Sequence, residues 1–374
     1  RLLLGLVILS IFAHVEGNKR GNSLFSSFIA ENFGAPCTFS EPHAALQAFE
    51  HAGIIRGWWD GEGTSQVMDA VVSWLAGIDG PTPRPLALLL LGHQDDGLGG
   101  LVETIPQVAL ANPSTEAVLR LRCTTLQACS SDSSCHQSTT QTLHNFSRQC
   151  RGRGIVVVEE LDMCHPDILR VITRAANGER VAPSIQHPEE HTPTFQRTMF
   201  LFLPRPDSVR PLLLEAVAAV TPVTGDDIST DADVWDRAET ALRSGLRKQG
   251  DAWVSQLAHV RHMQLFPLFP ATASGVGFAA AWVLRNITSE LSGPRTTLLW
   301  RNPDDVLEWV VDSCADYIPL MPSAAFPRIA KGGRREVAEA VRPPLLRLLR
   351  RALERAHEQW REMQRAKEGT DTAG

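Results

Sequence analysis

Ile155-Val156-Val157-Val158-Glu159-Glu160-Leu161-Asp162 constrains this chain more than any other stretch. Four apolar residues, three of them β-branched valines, run straight into adjacent carboxylates. His165, Pro166 and an apolar helix-like segment follow. A short apolar run of this kind suits a strand buried on both faces of a parallel sheet. Acids at the carboxyl end of such a strand lie in the crevice where open α/β sheets bind ligands.

A second strand of the same character runs from Pro85 to Leu91 and ends in Gly92-His93-Gln94-Asp95-Asp96-Gly97-Leu98-Gly99-Gly100. The Gly-x4-Gly spacing is that of a phosphate loop, in which Lys and then Ser or Thr follow the second glycine. Here Leu98 and Gly99 stand in those places. The Lys offsets phosphate charge and the hydroxyl holds Mg²⁺; Leu98 and Gly99 do neither. Asp95 and Asp96 add negative charge, and no Lys occurs between Lys19 and Lys248. An Arg arriving from elsewhere brings a planar fork in place of an ammonium point charge.

The surrounding pattern alternates strands and helices: strand 85–91, helix 98–110, a Cys-rich insertion over 123–150, strand 155–158, helix 166–176 and strand 199–203. Alternation of this kind predicts a parallel sheet with right-handed crossovers. Upstream, the spacing predicts a helix from Pro42 to His51 and another capped by Thr64, with Val67, Met68, Val71, Val72 and Leu75 on one face. After Asp226 the pattern becomes mostly helical. Asn302 and Pro303 open an amphipathic helix carrying Val306, Leu307, Val310, Val311 and Cys314.

With 43% hydrophobic and 21% charged residues the 374-residue chain can build large cores. Its net charge of −6 argues against a general nucleic-acid role. The apolar residues 1–13 read as a signal-peptide core, with a retained anchor as the alternative. Asn145-Phe146-Ser147 and Asn286-Ile287-Thr288 are glycosylation acceptors. Cys123, Cys129, Cys135 and Cys150 crowd a Ser/Thr-rich stretch. In an oxidising lumen they read as a disulfide-tied loop, and in cytosol as a metal site. Their spacing lacks a Cys-x-x-Cys pair, so no zinc is expected.

His187-Pro188-Glu189-Glu190-His191 fits the H-x-x-E-H pattern of inverted zinc peptidases. Pro183, Pro188 and Pro193 oppose the helix that would bring both His onto one metal, so the segment reads as a loop. From Pro344 to Ala366 a leucine-bearing, Arg-rich helix follows, either facing a core or meeting a partner or an anionic membrane surface.

Taken in order, these motifs resemble the torsins, AAA+ ATPases of the endoplasmic reticulum lumen and nuclear envelope in the Clp/HSP100-like branch. The likeness covers about residues 60 to 340, by order of motifs more than by identity. Pro85 to Val102 looks like the torsin Walker A strand and loop, with Gly92, Gly97, Leu98 and Gly99 at the nucleotide. Glu159 stands at the Mg²⁺ position of Walker B and Glu160 at the water-orienting position. Phe195 to Leu203 is similar to the sensor 1 strand, with Arg205 in place of its Asn. Phe266-Pro267-Leu268-Phe269-Pro270 resembles the turn into the lid. Lys331-Gly332-Gly333-Arg334 resembles the sensor 2 element, with Gly333 for its Cys and Arg334 for its Lys.

The resemblance implies an AAA+ P-loop-type parallel sheet flanked by helices, with a smaller carboxyl-terminal α-helical lid. The expected divisions are a signal or anchor (1–17), a lead-in (18–60), an AAA+-like domain (61–269), a lid (270–343) and a basic helix and tail (344–374). It implies ATP and Mg²⁺ as cofactors, weakened by loss of the Lys. It also implies oligomers with AAA+ subunits or membrane-bound AAA+-like cofactors, and protein clients. Three functions stay open: a torsin-like protein with weak or lost hydrolysis, an active chaperone-type ATPase with an unorthodox loop, and a luminal glycoprotein that binds no nucleotide.

Overall fold

A computed structural model of the chain describes residues 37–56, 62–78, 83–93, 97–113, 116–126, 132–181, 194–220, 232–269 and 273–292, together with 317–318, 329–330 and most of 346–365. Five strands form one sheet: β1 (Leu86–Leu91), β2 (Val118–Arg122), β3 (Arg153–Glu159), β4 (Arg197–Leu203) and β5 (Met263–Pro267). Their order is β2-β3-β4-β1-β5, and every neighbouring pair is parallel. This is the parallel α/β class expected from the alternating pattern.

The unbroken apolar runs have their physical cause here. Every residue of Leu86–Leu91 is buried, as are Gly154–Val158 and Thr198–Leu203. A strand covered on both faces has no solvent side on which to place polar residues. Phe200 and Phe202 are fully buried beside Leu88 and Leu90 in the same core.

Helices α1 (Pro42–Arg56), α2 (Glu62–Leu75) and α3 (Leu98–Ala109) pack together, and α2 also meets β1 and β5. The second begins at Glu62, so Thr64 is a buried residue of its first turn and not its cap. A short α4 (Cys123–Leu126) follows β2, and α5 (Asp132–Gln149) packs on α6 (Pro166–Ala176). The last of these has His165 as its N-cap, whose Nδ1 accepts from the Asp167 N–H at 3.3 Å, and Pro166 in its first turn. Ile168, Leu169, Val171, Ile172, Ala175 and Ala176 are its buried face.

The insertion expected to be a disulfide-tied loop is corrected in one respect, and its open pairing is settled. It contains α5, which buries Thr139, Leu143, Phe146 and Ser147. Its cysteines pair outward: Cys37 with Cys150, and Cys123 with Cys164. Cys135 is a free, buried thiol. Cys129 and Cys314 lie outside the described residues.

Between β4 and β5 lie α7 (Pro206–Val220), α8 (Ala232–Gln249) and α9 (Ala252–Leu257); after β5 come α10 (Ala273–Leu291) and then β6 (Tyr317–Ile318) paired antiparallel with β7 (Ile329–Ala330). Strand β5 occupies Met263–Pro267, so Phe266 and Pro267, the first two residues of the turn expected over Phe266–Pro270, close a strand instead. The helix expected from Asn302 to Cys314 lies outside the described residues.

Candidate functional site

The strand register places the two motifs at one edge. Leu89 pairs with Phe202, Phe202 with Val158, and Leu203 with Glu159. All strands point the same way, so the glycine loop after β1 and the acids after β3 leave the sheet at its carboxyl edge. One strand, β4, lies between them, a span of about 10 Å.

On the loop side, Gly97 caps α3 at φ 98°, a left-handed conformation that a side chain resists. Its carbonyl accepts from the Leu101 N–H at 2.9 Å. Gly92 is required by packing: a Cβ there would lie 2.9 Å from Leu268 Cβ, in a segment whose N–H reaches the Leu91 carbonyl at 2.6 Å. Leu98 is 5% exposed and belongs to the main core. A Cβ at Gly99 would meet nothing within 4 Å. Residues 94–96, with Asp95 and Asp96, lie outside the described residues.

On the acid side, Glu159 is engaged by two guanidiniums from the edge strand. Arg120 Nη1 donates to its Oε1 at 2.7 Å, and Arg122 Nη2 to its Oε2 at 3.4 Å. Arg122 lies opposite Glu159 in the β2–β3 register, and Arg120 reaches the same carboxylate from two residues earlier. Glu160 adopts φ 58°, ψ 43° at the start of the single 3₁₀ turn Leu161–Met163. A non-glycine residue held there stores strain of about 1–3 kcal/mol, which proteins keep mostly at functional sites. Its carboxylate accepts from the Thr124 hydroxyl and has Arg122 Nε at 3.8 Å. Asp162, 8% exposed, receives both the Arg205 N–H at 2.8 Å and Arg205 Nε at 2.9 Å.

Three carboxylates therefore face three arginines across the ends of β2, β3 and β4. Charges of this kind are permanent on the Arg side, so the cluster is neutral where a divalent cation needs an uncompensated carboxylate. Among the described residues no three His, Cys, Asp or Glu side chains form a group that could hold a metal ion. Leu98 turns into the core and brings no cation, and Glu159 is already engaged. These side chains do not fit Mg²⁺ and a triphosphate in the arrangement that the resemblance implies.

The structure brings together Glu159, Glu160 and Arg205 at the edge where Gly92 and Gly97 also lie. Arg205, expected at the nucleotide, is instead held on Asp162. Leu98 is at the loop by position only. Arg334 and the His187–His191 segment lie outside the described residues. Asn145 is exposed on α5, and its Oδ1 accepts from Gln141 Nε2 at 2.8 Å; Asn286 is half-buried on α10. Sequence reasoning missed Arg120, Arg122 and Thr124. The alternation Leu119-Arg120-Leu121-Arg122 was the available signal, since period-two spacing marks a half-buried strand.

No family model matches the sequence, and no curated protein is significantly similar to it. Its structure is similar to solved structures of Hsp104. The S. cerevisiae Hsp104–casein complex in its extended conformation is 12% identical, with 84% of this chain and 49% of that chain covered and a TM-score of 0.47. The S. cerevisiae Hsp104–ADP complex is 13% identical, with 84% and 49% covered and a TM-score of 0.47. A closed-state Hsp104 with ATPγS and FITC-casein is 12% identical, with 82% and 49% covered and a TM-score of 0.45. The chain spans about half the length of these solved chains.

Proposed function

We propose that the chain is a torsin-like AAA+ protein of the endoplasmic reticulum lumen or nuclear envelope that has lost most or all ATP hydrolysis and works by binding. It serves as a regulatory partner of active AAA+ subunits or of their membrane-bound AAA+-like cofactors, within homo- or hetero-oligomers that act on protein clients. Residues 270–343 are its lid. The observation that carries the reading is the Arg120–Glu159–Arg122 array: the carboxylate at the Mg²⁺ position is neutralised by its own fold.

Other features support parts of the reading. The burial of Leu98 removes the phosphate-facing cation. Two disulfides, Cys37–Cys150 and Cys123–Cys164, suit an oxidising compartment. Asn145 is accessible to a glycan there. With Leu98 turned inward, any nucleotide retained would be held by backbone N–H groups at the α3 terminus and would not be positioned for attack.

Titration calorimetry with Mg²⁺ and ATP on the wild type and on Glu160→Gln tests this. In a hydrolysing enzyme the Gln variant traps ATP and its apparent affinity rises. We expect the same isotherm for both proteins. A Gln variant that binds ATP tenfold or more tightly would return the chain to the active ATPases.

A further inference from the structure

The carboxyl-terminal helix carries an apolar and basic surface that the sheet-edge site does not use. Residues 346–347, 349–352, 354–363 and 365 are helical, and from 354 onward every described side chain is exposed. Trp360 is 54% and Met363 64% exposed, two of the three large hydrophobic residues that the described chain leaves in solvent. Isolated surface hydrophobics need no explanation. These two are not isolated. At about 100° per residue, Leu346, Leu349, Ala352, Ala356, Trp360 and Met363 share an arc of about 120°.

The charges are sorted around that arc. Moving outward from it, the first charged residues are Arg350 and Arg361 on one margin and Arg355 on the other. Glu354, Glu358 and Glu362 all lie further round. Between 347 and 365 six Arg oppose three Glu, in a chain whose overall charge is −6. His357 sits edge-on to Trp360 with ring centroids 6.2 Å apart, fixing the indole at the apolar margin.

We propose that this helix lies in the headgroup layer of an anionic membrane. Trp360 and Met363 enter the acyl boundary, and Arg350, Arg355 and Arg361 meet lipid phosphates on both sides. The sorting of charge selects this occupant. A second copy of the helix, in either orientation, would set arginine margins against arginine margins. A protein helix would need acids along both flanks of its own apolar stripe. An anionic surface satisfies both margins at once, and arginine stems are long enough to keep their heads at the phosphates while covering apolar surface. Indole rings favour this depth. Nine charged residues between 347 and 365 oppose a crossing of the bilayer and suit a helix lying in its surface.

Flotation of the full chain with vesicles of phosphatidylcholine, alone or with about 30% phosphatidylserine, tests the proposal. The chain should float with the anionic vesicles and lose affinity as salt is raised. Removing headgroup-level arginines should weaken binding about fivefold each, so Arg350→Gln with Arg361→Gln should weaken it about 25-fold. Trp360→Ser should reduce binding to anionic vesicles at every salt concentration. All three side chains are exposed, so melting temperature should not move; Arg355→Gln, on the opposite margin, gives an independent arm. Equal flotation with neutral and anionic vesicles would overturn the proposal, because apolar residues 1–13 alone could produce it. So would unchanged flotation of the arginine variants. A Trp360→Ser protein that changes oligomer size without changing flotation would assign the face to a protein partner instead.

Discussion

Replacing Arg120 and Arg122 by Gln should restore divalent-cation binding to Glu159, and the size of the gain follows from the geometry. The guanidinium nitrogens stand 2.7 Å and 3.4 Å from the two carboxylate oxygens. A Mg²⁺ ion bound to that carboxylate would sit about 2 Å from an oxygen, and so about 4–5 Å from each guanidinium. Both arginine side chains are about half exposed, at 47% and 59%. Water-like screening is therefore the right regime, and each cation repels the ion by about 1.8 kcal/mol. Physiological salt, with a Debye length of about 8 Å, leaves a little over half of the summed repulsion, about 2 kcal/mol. The double variant should bind Mg²⁺ or Mn²⁺ about thirtyfold more tightly than the wild type. Losing two exposed ion pairs should lower stability by no more than about 2 kcal/mol. Mn²⁺ titration followed by the free-ion electron paramagnetic resonance signal reads the affinity directly. Equal affinities in the two proteins would refute the idea that the arginines close this site.

Further outcomes follow from the packing. Leu98→Ala should cost about 2–5 kcal/mol in urea unfolding, because Leu98 is a core side chain and not a loop residue facing ligand. Gly97→Ala should lower the melting temperature through about 1–2 kcal/mol of left-handed strain, whereas Gly99→Ala, with open space at its Cβ, should leave it nearly unchanged or raise it. Cys123→Ser with Cys164→Ser should destabilise by about 4 kcal/mol or less: the 41-residue separation sets that chain-entropy ceiling, and the overlapping Cys37–Cys150 bond already constrains part of the loop. Chemical denaturation under non-reducing conditions measures it.

What the sequence made legible depended on where burial is symmetrical. The runs of β1, β3 and β4 announced themselves because both faces are covered, so Leu86–Leu91, Ile155–Val158 and Met199–Leu203 are apolar without a break. Strand β2 did not, since only Leu121 of its five residues is buried and its arginines look like surface charge. Strand β5 ends in Pro267, and the Phe-Pro sequence suggested a turn. Helix α5 is rich in Ser, Thr and Gln, so its apolar stripe is thin. Loss of the loop Lys was visible at position 98, but not that Leu98 packs inward. The arginine array was out of reach for a different reason. It joins residues 37 and 39 positions apart, and only the strand register puts Arg122 opposite Glu159. Cysteine pairing was open for the same reason: Cys37 and Cys164 lie outside the cluster in which they find partners.

The most direct test of the central claim is single-turnover release of γ-phosphate, with the chain in excess over ATP and Mg²⁺ present. A fold whose Mg²⁺ carboxylate is held by Arg120 and Arg122, and whose loop offers Leu98, should release phosphate no faster than buffer. Release well above buffer that disappears in Glu160→Gln would contradict the account.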